Sequence, residues 1–92
     1  MSKVNIKLYT SLKELTGLER VQVDAVDVAG ALEALAGRLA EDARRGLFGA
    51  DGCVHSRITV CLNTKLLDPR RLQGLTVQEG DVLHLMPPIT GG

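Results

Sequence analysis

Aromatic residues are almost missing from this chain: Tyr9 and Phe48 are the only two among 92 residues, and there is no tryptophan. That removes the stacking platforms on which single-stranded nucleic acids are held. A surplus of either charge is missing too, because eleven Lys and Arg balance eleven Asp and Glu. No net field gathers a polyanion or an anionic bilayer, so neither nucleic acid nor membrane is expected as a partner. Cysteine is scarce. Cys53 and Cys61 match neither a C-x-x-C redox pair nor a zinc framework, and two thiols are too few for an iron–sulfur cluster. No metal site is expected. The N-terminus lacks the pattern of a secretion signal, and no apolar run approaches the ~20 residues that cross a bilayer. The expected location is a reducing cytoplasm.

What the chain does contain is aliphatic: 15 Leu, 9 Val and 3 Ile in a composition that is 45% apolar and 24% charged. That is enough apolar surface for folding to outweigh disorder. The length fits one domain, residues 1–92, with no internal repeat and no linker. A core of this size supplies roughly 3 to 5 kcal/mol, which makes docking to larger partners a natural expectation.

Val4, Ile6 and Leu8 alternate with Lys3, Asn5, Lys7 and Tyr9, the period-two pattern of a strand with one face in the core. Residues 10–19 are polar and read as a long hairpin loop into a second alternating run, Arg20, Val21, Gln22, Val23 and Asp24. From Val28 the period changes. Val28, Leu32, Leu35, Ala36, Leu39 and Ala43 share one helical stripe, which predicts a single long helix with Asp27 as N-cap and Arg44, Arg45 and Gly46 at its end. Residues 46–55 carry three glycines and read as a mobile loop. Ile58, Val60 and Leu62 mark a third strand, Leu66 and Leu67 a short fourth, and Val82 to Met86 a fifth, closed by Pro87 and Pro88, which have no amide to give a sheet. Residues 70–76 have room for a single helical turn. Five strands with one main helix between two hairpins predict an α+β, β-grasp (ubiquitin-like) fold: a mixed sheet packed on that helix. A ferredoxin-like sandwich would need a second substantial helix.

No ordinary active site is legible. His55 and His84 lack the partners of a base or a ligand and read as surface or interface residues, Cys61 as a packed or interface thiol, and Cys53 as exposed. What remains is the ending Pro87, Pro88, Ile89, Thr90, Gly91 and Gly92. It leaves a core strand through a proline-stiffened stretch and ends without Cβ atoms, so it can thread a narrow channel and present a backbone carboxylate.

The segments V-C-L-N at residues 60–63, G-L-T-V-Q-E-G-D at 74–81 and P-P-I-T-G-G at 87–92, with I-K-L-Y at 6–9 and K-E-L-T-G at 13–17, resemble the MoaD/ThiS family of ubiquitin-like sulfur carriers along nearly the whole chain. The resemblance implies that an E1-like enzyme uses ATP to adenylate the Gly92 carboxylate, and that a sulfur donor converts the adenylate to a thiocarboxylate. An acceptor enzyme such as the molybdopterin synthase large subunit then takes the sulfur, with no cofactor bound by the carrier itself. The P-P before I-T-G-G points to the molybdopterin branch. The 46–55 loop and the overall length look more like carriers for cysteine or homocysteine synthesis or like archaeal-type modifiers; thiamine carriers and isopeptide-forming modifiers share the same tail.

Alternation also places Tyr9, Cys61, Val82, His84 and Met86 on the sheet face away from the helix. That face is expected to dock the activating enzyme and the acceptor, with Tyr9 and Met86 as anchors. Pro87, Pro88, Ile89 and Thr90 would be gripped by the same partners, and Gly91 and Gly92 would be mobile alone and ordered in complex.

Overall fold

The structure, a computed structural model, describes residues 1–87. The expectations for Pro88, Ile89, Thr90, Gly91 and Gly92, including the mobility of the tip, lie outside the described residues. Five strands form one mixed sheet: β1 (Ser2–Leu8), β2 (Arg20–Ala25), β3 (Thr59–Leu62), β4 (Lys65–Leu67) and β5 (Val82–Met86), in the order β2-β1-β5-β3-β4. β1 and β5 run parallel and the other pairs antiparallel. This is the β-grasp topology expected from the sequence. It puts the strand that leads to the C-terminal tail in the middle of the sheet.

The helices depart from expectation. Residues 10–19 are not a plain loop but hold α1 (Thr10–Thr16), closed by Gly17 in the left-handed region at φ 73°, where its amide donates to the Lys13 carbonyl. This left-handed ending suits glycine, which has no Cβ to clash there. The single long helix is two: α2 (Val28–Ala36) and α3 (Glu41–Leu47). At Gly37 the ladder tightens, with Arg38 and Leu39 donating to the carbonyls of Leu35 and Ala36, a 3₁₀-type winding-down. Ala40 is extended (φ −62°, ψ 157°) and starts α3 in a new direction. There Gly46 lies inside the helix, not at its stop, and a Cβ at Gly46 would collide with Leu15 of α1. The end of the Leu15 side chain rests against Gly46, and a larger residue there would displace it. Asp27 caps α2 as expected, accepting from the Gly30 amide at 2.7 Å.

The 46–55 stretch is more built than a free loop: Phe48 bridges Val54, and both are buried. Residues 70–76 hold turns and no helix; Asp68 accepts from the Arg70 amide at 2.9 Å, a bond that holds its carboxyl below its ordinary range. The helices pack on one face of the sheet. Val4, Ile6, Leu8, Val21, Val23, Val60, Leu83 and Leu85 meet Val28, Ala31, Leu32 and Leu35 there, while Leu39 and Leu62 are only partly covered.

Candidate functional site

Among the described residues, no helix covers the other face of the sheet. Along β5 the buried Leu83 and Leu85 alternate with the half-buried Val82, His84 and Met86, so the middle strand presents three side chains outward. Register fixes their neighbours. His84 stands opposite Lys7 on one side and Cys61 on the other, and Met86 stands opposite Thr59. Side chains directly opposite one another share a face, so Cys61 joins the β5 residues where alternation placed it. Tyr9 follows β1 and extends its ladder, donating from its amide to the Leu85 carbonyl at 3.2 Å. Its phenol and His84 Nδ1 are hydrogen-bonded at 2.7 Å, with ring centroids 5.7 Å apart; with the ring proton on Nε2, the phenol donates.

The structure therefore places Val82, His84 and Met86 in one row along β5, with Cys61 beside His84 and Tyr9 near the end that feeds the tail, while Val82 lies at the opposite end of the strand, beside Asn5. Sequence reasoning missed Leu66, which is 68% exposed and pairs with Cys61 across β3 and β4, extending the apolar half of the face to the sheet edge. It also missed Lys7, whose place beside His84 depends on β1 and β5 lying side by side.

The motifs that carry the family resemblance frame β5. Asn63, at φ 56°, accepts from the Val82 amide through Oδ1 at 3.0 Å and donates to Asp81 Oδ1 at 3.1 Å, while Asp81 Oδ2 accepts from the Gln78 amide at 2.8 Å. Glu79 accepts from the Lys3 amide at 2.8 Å, and Gly80, in the left-handed region at φ 87°, donates to the Lys3 carbonyl. The E-G-D turn and the asparagine thus tie the start of β5 to both neighbouring strands.

The remaining candidates are elsewhere. Cys53 is exposed and lines an open groove between α2, α3 and the 69–73 segment, on the helical side of the molecule. His55 lines it too, but its Nε2 lies 3.0 Å from the Arg45 carbonyl; a carbonyl only accepts, so the ring donates there and fixes the loop. Among the described residues no group of His, Cys, Asp and Glu is arranged to hold a metal ion, and no helix is long and apolar enough to cross a membrane.

Comparison with known proteins bears on both the fold and the site. The ThiS family model matches residues 6–92. Small archaeal modifier protein 1 of Haloferax volcanii is 35% identical over 89 residues, which cover 94% of this chain and 97% of that one. Its crystal structure superposes with a TM-score of 0.80 at 32% identity, covering 99% and 100% of the two chains. A chain of the Amycolatopsis orientalis BexX/CysO complex gives a TM-score of 0.73 at 24% identity over 97% and 99%. A chain of the complex of subunits 1 and 2 of the Helicobacter pylori molybdopterin-converting factor gives 0.65 at 24% over 98% and 99%. The last two show a shared fold, and both were captured bound to a partner protein.

Proposed function

The chain belongs to the ThiS family of ubiquitin-like sulfur carriers and modifiers, and from that premise we propose that the carboxylate of Gly92 is its reacting group. A carboxylate is a poor electrophile. An E1-like enzyme joins it to AMP from ATP, releasing pyrophosphate; a sulfide-equivalent donor attacks the anhydride carbonyl, AMP leaves, and a thiocarboxylate remains. The carrier contributes the reacting atom, while its partners contribute the ATP site and the catalytic side chains. The acceptor in this reading is an enzyme of the molybdopterin synthase large-subunit type, in line with P-P-I-T-G-G at residues 87–92.

The observation that carries the reading is the extent of the family match, which runs through residue 92. The geometry agrees with it: β5 is the middle strand, and it delivers the chain at Pro87 beside Tyr9, His84 and Met86. Partners that grip this face are in position to receive the tail. Tyr9 and Met86 are the anchors, aromatic and Met side chains being enriched in interface cores.

A second reading is favoured by the 35% identity to a small archaeal modifier protein: the activated Gly92 forms an isopeptide bond with a target lysine instead of handing on sulfur. The test is incubation with the E1-like enzyme, ATP and a sulfide donor. Native chain should form the adenylate and then the thiocarboxylate. Chains lacking Gly92 or extended by one residue should form neither, and an extended chain that still acquires sulfur refutes the proposal. Lysines of host proteins that carry residues 72–92 after trypsin, whose last cleavage site in this chain is Arg71, would assign the modifier role.

A further inference from the structure

Beside the apolar half of the sheet face lies an open cleft of about 460 Å³, lined among others by Lys7, Tyr9, Thr10, Lys13, Glu19 and Arg20. Three of those side chains are cations and one is an acid. That acid is already engaged, Glu19 lying 3.5 Å from Lys13 Nζ. Lys7 and Arg20 are direct cross-strand partners in β1 and β2. The next pair along is hydrogen-bonded, since Leu8 donates to the Glu19 carbonyl at 3.0 Å. Lys7 and Arg20 therefore form a non-hydrogen-bonded pair, in which side chains are closest. Like charges facing each other in that position destabilise a sheet. Among the described residues, neither has an ion-pair partner, and His84 stands on the other side of Lys7.

A hairpin that sets two cations against each other, with no acid to separate them, breaks a local rule of sheet design. Such breaks belong to sites where a partner supplies the compensation. We propose that this cleft receives an acidic segment of the E1-like enzyme, whose carboxylates sit between Lys7 and Arg20 while its apolar surface covers Tyr9, Met86 and Leu66. The inference rests on the carrier reading above. Ammonium and guanidinium groups give charge-assisted hydrogen bonds to a carboxylate, and a charged rim beside an apolar centre orients the encounter and sets partner choice. The cleft shares Tyr9 with the apolar face, so one partner surface can engage both.

The test is the affinity of the E1-like enzyme for native chain, Lys7→Glu and Arg20→Glu, measured over a range of salt. Each reversal replaces a like-charge pair by an opposite one, so folding stability should be unchanged or higher. Each should nevertheless weaken docking about tenfold or more, and the salt dependence seen with native chain should flatten. A variant that folds better and docks worse cannot be dismissed as misfolded. Native affinity in both reversals overturns the proposal. So does a finding that removing residues 91 and 92 moves the backbone NMR signals of Lys7 and Arg20 in the free chain, since the cleft would then hold the chain's own carboxylate. Thiocarboxylate formation by native chain, followed by intact mass in the same samples, separates the two ideas: its absence refutes the carrier reading, and its presence with unaffected docking by the reversals refutes the cleft alone.

Discussion

Tyr9 works through both its backbone and its side chain: its amide prolongs the β1–β5 ladder at Leu85, and its phenol holds the ring of His84. Tyr9→Phe keeps the ring and loses the hydroxyl. It should cost about 1 kcal/mol of stability, readable as a lowered urea midpoint, and leave most of the docking affinity. Tyr9→Ala, which loses that bond and the ring together, and Met86→Ala should lose affinity for both the activating enzyme and the acceptor, measured by calorimetric titration at a temperature where both variants are folded; unchanged binding by both would mean that neither partner docks on this face. Alternation makes the outward residues of single strands legible, because Val82, His84 and Met86 differ from Leu83 and Leu85 by a period that any strand imposes. The row Lys7, His84, Cys61 and Leu66 is not legible. It exists because β5 inserts between β1 and β3, a pairing of residues far apart in sequence that no local pattern encodes.

Among the elements, strands are easier to read than helices. Five strands and the cap at Asp27 follow from alternation and from a carboxylate placed one residue before an apolar stripe. Asp27→Ala should cost about 1 kcal/mol, and Asp27→Asn clearly less, in equilibrium unfolding by urea; equal stability of all three chains would mean that the 2.7 Å bond to the Gly30 amide contributes nothing. The division of α2 from α3 is hidden because the stripe through Leu35, Leu39 and Ala43 keeps helical phase across the break. Its signals are ambiguous on their own: Gly37 is equally a weak point within one helix, and Glu41 and Asp42, which suit the positive start of a helix, equally fit the polar side of a continuous one. The helix α1 escapes sequence reading because it is short and buries only Leu12, so its pattern does not stand out from a polar loop. What holds it is tertiary: Leu12 sits in the shared core, and the Leu15 side chain rests against Gly46 of α3.

At the scale of the whole molecule, the helices among the described residues cover one face of the sheet and none of them the other, and side chains of the middle strand alternate between the two faces. Leu83 is fully buried in that strand. Leu83→Ala should cost about 3 to 5 kcal/mol, comparable to the roughly 3 to 5 kcal/mol available to a small core. With the two nearly equal, about half of the variant should be unfolded by circular dichroism at room temperature, and a native melting curve would contradict the packing described here. The fold and the candidate face are legible because they depend on patterning. The tail chemistry proposed above is legible only through the resemblance carried by the E-G-D turn, the asparagine after β3 and the P-P-I-T-G-G ending, since composition and patterning alone do not point to it. The most direct test of that chemistry is the intact mass of the protein purified from its native host, with the C-terminal peptide sequenced by fragmentation. The expected result is a fraction in which one oxygen of the Gly92 carboxylate is replaced by sulfur, increasing when the acceptor is depleted and disappearing when the E1-like enzyme is removed. A Gly92 that is never sulfur-bearing, adenylated or conjugated in any of these conditions would contradict its role as the reacting group.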